Sequence, residues 1–169
     1  LPNLKNTPAA LPALQRPEVI ELFDKYRVLS PRELSARYEV YLEQYIKHLR
    51  VESGLTARLA RTAILPAALR YQNEIVGSAA AAKSLGIPSD LKTPAKLAGL
   101  VIDLEKAVEA LEAASGSVPH GDTLKEAQYY FDKVIPTMVK VRELADTLEG
   151  LVADDLWPLP TYHEMLFIR

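Results

Sequence analysis

The 169-residue chain has no cysteine, which excludes a disulfide framework, thiolate zinc, iron–sulfur clusters and a cysteine nucleophile. The absence fits a reducing compartment, with the cytoplasm as the expected location. Glycine is scarce, at seven residues. There is no apolar run near the roughly 20 residues needed to cross a bilayer, and no basic-then-apolar leader. Neither membrane insertion nor export is expected. Charge of one sign is also lacking: the net charge is -2 with 25% charged residues, so no bulk nucleic acid partner is implied. The first residue is Leu rather than Met, and the expectation is a piece of a longer protein.

What the chain has in quantity is Ala and Leu, 48 of 169 residues, which favours helix over sheet by intrinsic propensity. The expected fold is all-α, an elongated antiparallel helical bundle whose first helix is very long and kinked. Residues 1–29 read as a proline-rich lead-in followed by a short helix. The lead-in carries Pro2, Pro8, Pro12 and Pro17, each without a backbone donor, and Pro17 is placed to open the short helix. Residues 30–155 read as the bundle, with helices over about 31–86, 94–115 and 122–153. Residues 156–169 read as an aromatic docking tail.

Ser30, Pro31 and Glu33 form a capping box with proline in the first turn. From there Leu34, Tyr38, Tyr41, Leu42, Tyr45 and Leu49 recur at spacings of three and four. Pro66 is expected to bend the first helix and Pro136 the third, because each leaves the carbonyl four residues earlier without its donor. Gly54 marks a candidate break. Unbroken, the first helix would span roughly 84 Å at about 1.5 Å per residue and the second only about 33 Å. Much of the first helix, roughly residues 31–63, would then overhang with an apolar stripe uncovered, the usual mark of an interaction surface.

Catalytic patterns are weak. His48, His120 and His163 have no partner at helical metal-ligand spacing, so exposed or locally bonded histidines are the reading. The stretch Gly116-Ser117-Val118-Pro119-His120-Gly121-Asp122-Thr123 has phosphate-loop glycine spacing, but Asp122 stands where lysine should be and repels phosphate. It reads instead as a loop with Asp122 or Thr123 capping a helix. The acid pairs Asp154/Asp155 and Glu109/Glu112 read as solvated helix faces, and Tyr38, Tyr41 and Tyr45 as packing rather than a base-stacking platform. No catalytic, cofactor-binding or metal-ligating residue is assigned. The candidate interface consists of Leu34, Tyr38, Tyr41, Tyr45 and Leu49 on the first helix, with Trp157, Leu159, Tyr162, Met165, Leu166 and Phe167 in the tail. Those tail side chains would be unfavourable in water at about 25 cal/mol per Å² of apolar area. They are expected to fold back or to dock on another domain or subunit.

Several stretches carry a family resemblance. They are Asn3-Leu4-Lys5-Asn6-Thr7, Ser35-Ala36-Arg37-Tyr38-Glu39-Val40-Tyr41-Leu42-Glu43-Gln44-Tyr45, Ile64-Leu65-Pro66-Ala67-Ala68-Leu69-Arg70-Tyr71, and Leu156-Trp157-Pro158-Leu159-Pro160-Thr161-Tyr162. In these the chain resembles the C-terminal helical region of type III glutamine synthetases, while residues 72–150 match mainly in helical pattern. The resemblance implies a cytoplasmic, ring-shaped homo-oligomeric parent that makes glutamine from glutamate and ammonium with ATP and a divalent metal, magnesium or manganese. The active site of such a parent lies in the preceding catalytic domain, and no ATP, glutamate or metal motif has a counterpart here. The expected role is a non-catalytic association domain whose partners are the catalytic domain and sister subunits, with neither nucleic acid nor membrane. A free-standing helical adaptor is the rival reading.

Overall fold

The computed structural model describes residues 3–160 and 162–166. Among them every regular element is helical, the class expected from composition. Short turns at Thr7–Ala10 (α1) and Leu11–Gln15 lead into α2 (Pro17–Lys25) and α3 (Pro31–Leu59). A π turn at Ala60–Ile64 joins α3 to α4 (Leu65–Ser84), and α5 runs Lys92–Gly116. Then α6 (Thr123–Tyr129) passes through a second π turn at Tyr130–Val134 into α7 (Ile135–Glu149). A 3₁₀ turn at Asp154–Leu156 precedes α8 (Tyr162–Leu166).

Local chemistry sets these ends. At α3 the Ser30 amide donates to the Glu33 carboxylate at 2.8 Å, and the Glu33 amide donates back to Ser30 Oγ at 3.3 Å. This is a closed capping box. The Ser30 hydroxyl and amide bonds hold the Glu33 carboxyl below its ordinary range. At α6 the Asp122 carboxylate accepts the Lys125 amide at 3.1 Å, and that backbone bond lowers its pKa. The loop read as a cap rather than a phosphate cradle therefore does cap. Gly86, at φ 73°, closes α4 as Ile87 N–H bonds Ala82 O at 2.9 Å and Gly86 N–H bonds Lys83 O at 3.1 Å. A left-handed residue is required in this motif, which is why glycine stands there.

The two prolines act through π turns. The Leu65 amide reaches Ala60 O and the Ile135 amide reaches Tyr130 O, each five residues back rather than four. Each proline follows directly, as the second residue of the next helix. The extra residue in the turn shifts the hydrogen-bond ladder just where proline supplies no donor. At Gly54, in contrast, α3 runs on without interruption. A glycine inside a helix costs only about 1 kcal/mol relative to Ala. The neighbouring Ser53 and Ala57 are both buried.

The chain divides into two compact units. The first takes the chain through Gly54 together with Ala113–Pro136. Its core includes Leu34, Leu42, Ile46, Leu49, Ala127, Tyr130 and Val134. In it Arg50 Nη2 bonds Glu126 Oε1 at 3.0 Å, and Asn6 caps α1 by accepting the Ala9 amide at 2.7 Å. The second unit takes Leu55–Glu112 and the chain from Thr137 onward. Its core includes Ile64, Ala68, Leu97, Leu104, Leu111, Val141 and Leu148. There Arg61 grips Glu112 with two bonds, at 2.7 and 2.6 Å. That bond pair lowers the Glu112 pKa. Exposed pairs of this kind add at most about 1 kcal/mol, so apolar burial carries each unit.

Candidate association surface

The stripe predicted to overhang is not bare. Leu34, Leu42, Ile46 and Leu49 are buried, and α6 with its π turn belongs to the same compact unit as this half of α3. Of the candidate interface residues on α3, Leu34 and Leu49 thus lie in the chain's own core. Tyr38 and Tyr45 are half-buried. Burial raises both phenol pKa values first, with Glu39 and Asp122 adding at Tyr38 and Asp132 and Glu52 at Tyr45. Both rings stay neutral at ordinary pH. Tyr41 is the exposed member, at 41%.

A second apolar face was missed. In the first unit Val40 (56% exposed) and Val51 (68%) accompany Tyr41 on α3, and Leu55 (51%) and Leu59 (36%) are exposed in the second. With about 100° of turn per residue, Val40, Tyr41 and Val51 fall within an arc of roughly 100°. The core positions centre on another side of the helix. A third side carries Arg32, Glu39, Glu43, Lys47 and Arg50, all exposed, with Lys47 Nζ 2.8 Å from Glu43 Oε2. Single exposed apolar residues are ordinary on any protein, but their alignment on one helix face is not. In the sequence this face is interrupted, because Gln44 and His48 stand between Tyr41 and Val51.

The tail divides. Trp157 and Leu159 are half-buried, and the 3₁₀ turn before them packs against α4 within the second unit. The start of the tail thus packs on its own unit, which is the fold-back alternative to docking on another domain or subunit. Met165 and Leu166 are exposed. The side chain of Tyr162 and the whole of Phe167 lie outside the described residues.

A cavity of about 230 Å³ in the first unit is lined by Arg50, Ser53, Gly54, Ser115, Gly116, Val118, His120 and Tyr130. The glycine loop examined for phosphate forms part of its wall. Arg50 is already held by Glu126 and lies 3.5 Å from the Tyr130 hydroxyl. No carboxylate or second imidazole is among its lining residues. Among the described residues no three His, Asp or Glu side chains gather as a metal site. None of their helices is long and apolar enough to cross a membrane.

Known proteins give the parentage. The family model described as "Glutamine synthetase C-terminal domain" matches residues 1–83. The chain is 33% identical to the type-3 glutamine synthetase of Dictyostelium discoideum over 180 residues, covering 100% of the chain and 24% of that protein. It is 29% identical to a glutamine synthetase of Butyrivibrio fibrisolvens over 177 residues, covering 99% of the chain and 25% of the relative. A glutamine synthetase of Bacteroides fragilis (strain YCH46) is 28% identical over 152 residues, covering 85% and 21%. The chain thus spans about a quarter of the length of these relatives. With its helical fold and these alignments, the chain belongs to the glutamine synthetase C-terminal domain family, as the C-terminal domain of a glutamine synthetase-like protein.

Proposed function

We propose that this domain is a non-catalytic association element, which packs on the catalytic part of its parent and on sister subunits of a cytoplasmic homo-oligomer. In this reading the parent joins ammonium to glutamate with ATP and a divalent metal, magnesium or manganese, and those groups are held by the preceding residues. Among the described residues no three metal-ligating side chains gather, and Asp122 of the loop with phosphate-like spacing caps α6. The observation that carries the association role is the exposed apolar face of α3 formed by Val40, Tyr41 and Val51. Alignment over nearly the whole chain with much longer synthetases favours this role over a free-standing adaptor.

The test deletes residues 1–169 from the full-length parent and follows assembly by light scattering. A smaller assembly is expected, and the 169-residue chain alone should form no glutamine from glutamate, ammonium and ATP. A truncated parent of unchanged assembly size, or synthetase activity in the chain itself, would remove the proposal.

A further inference from the structure

We propose that the cavity of the first unit binds a small uncharged molecule carrying a carboxamide group. The site goes beyond the association reading and does not depend on it. Every lining residue belongs to the first unit, so α3, the end of α5, the loop after it and the second π turn build the cavity together. Its floor holds Ser53, Val118 and Tyr130, each buried. Arg50, Gly54, Gly116 and His120 form an exposed rim. A Cβ added at Gly54 or Gly116 would meet no atom within 4 Å, which leaves the entrance open. At about 230 Å³, the space is several times the roughly 30 Å³ that one water occupies in the liquid. It has room for a molecule of several heavy atoms.

One group in the wall lacks what such a molecule would supply. The Ser115 hydroxyl is shut off from solvent and has no hydrogen-bond partner, an unfavourable state for a buried polar group. Nearby, the Tyr130 hydroxyl accepts from Arg50 Nε at 3.5 Å, and its own proton remains available to donate. Ser53 Oγ donates to Arg50 O at 3.2 Å, which leaves its oxygen as an acceptor.

Charge sets the ligand class. The Arg50 guanidinium is already balanced by Glu126, 3.0 Å from its Nη2, and no carboxylate is among the lining residues. The wall therefore offers hydrogen bonds without an unbalanced arginine or carboxylate charge, and an ionised ligand would lose hydration there without gaining a counter-charge. A carboxamide meets both needs, because its oxygen accepts from Ser115 and Tyr130 while its nitrogen donates to Ser53.

The test titrates the ¹⁵N-labelled chain with acetamide and, separately, with acetate, and follows the backbone amides by NMR. Acetamide should give saturable shifts at Ser53, Gly54, Ser115, Gly116, Val118 and His120, with a Kd in the millimolar range expected of so small a probe. Ser115→Ala should weaken acetamide about fivefold, the loss of one hydrogen bond, and acetate should bind the unmodified chain at least about fivefold more weakly than acetamide. No saturable shift up to about 200 mM, which would leave the cavity to water, would overturn the site. Shifts centred elsewhere, or unchanged affinity in Ser115→Ala, would do the same. Acetate binding as tightly as acetamide would overturn the ligand class. None of these outcomes bears on assembly, which light scattering reads separately.

Discussion

Replacing Tyr130 by Ala is expected to cost about 3–5 kcal/mol, the range for removing a buried aromatic ring. That is a large share of the roughly 5–15 kcal/mol that holds a domain folded. Tyr130 is 2% exposed and opens the π turn that carries α6 into α7. It also lines the cavity beside Arg50 and Ser53, so truncation enlarges a space that is already there rather than one that neighbours can close. The ring should matter far more than the hydroxyl. Its oxygen lies 3.5 Å from Arg50 Nε, beyond the distances of strong hydrogen bonds, so Tyr130→Phe should cost no more than about 1 kcal/mol. Urea unfolding followed by circular dichroism measures both. A loss below about 1 kcal/mol for Tyr130→Ala, or equal losses for the two variants, would contradict the core assigned to the first unit.

Val51→Asp should have the opposite profile. Val51 is 68% exposed, so the folded chain loses little, and a melting temperature within about 2 °C of the unmodified chain is expected. On the proposed association face, however, it places a carboxylate where a partner would cover Val51 and Tyr41. Burying an unpaired charge is strongly unfavourable, and a roughly hundredfold weaker association, about 2.7 kcal/mol, is expected. Leu49→Asp, two residues away but buried, should unfold the first unit instead. The contrast separates the two sides of one helix. Unchanged association in Val51→Asp, measured by sedimentation, would show that the exposed arc is not the contact.

The elements most legible in the sequence were those fixed by neighbouring residues. The Ser30–Glu33 box, the Asp122 cap and the Gly86 stop each depend on atoms within a few residues, and each stands where the pattern put it. Pro66 and Pro136 announced a disturbance, but not its form. Whether a missing donor yields a bend or a π turn depends on how the flanking turns pack, here with Ala60, Ile64, Tyr130 and Val134 all buried. Gly54 suggested a break that tertiary packing overrides.

The surface was harder to read than the fold. Helix lengths did not tell which element covers which, so Leu34 and Leu49 were counted as outward when they face the core. Val40 and Val51 belong to no 3,4 apolar repeat, because Gln44 and His48 interrupt their face. Of the five α3 candidates, Tyr41 alone is exposed.

Sedimentation equilibrium of the unmodified chain, from about 5 to about 500 µM, tests the association role most directly. The mass should rise from that of one chain, 18.7 kDa, toward twice that value, with a midpoint in the micromolar range. A mass of one chain at every concentration would contradict it.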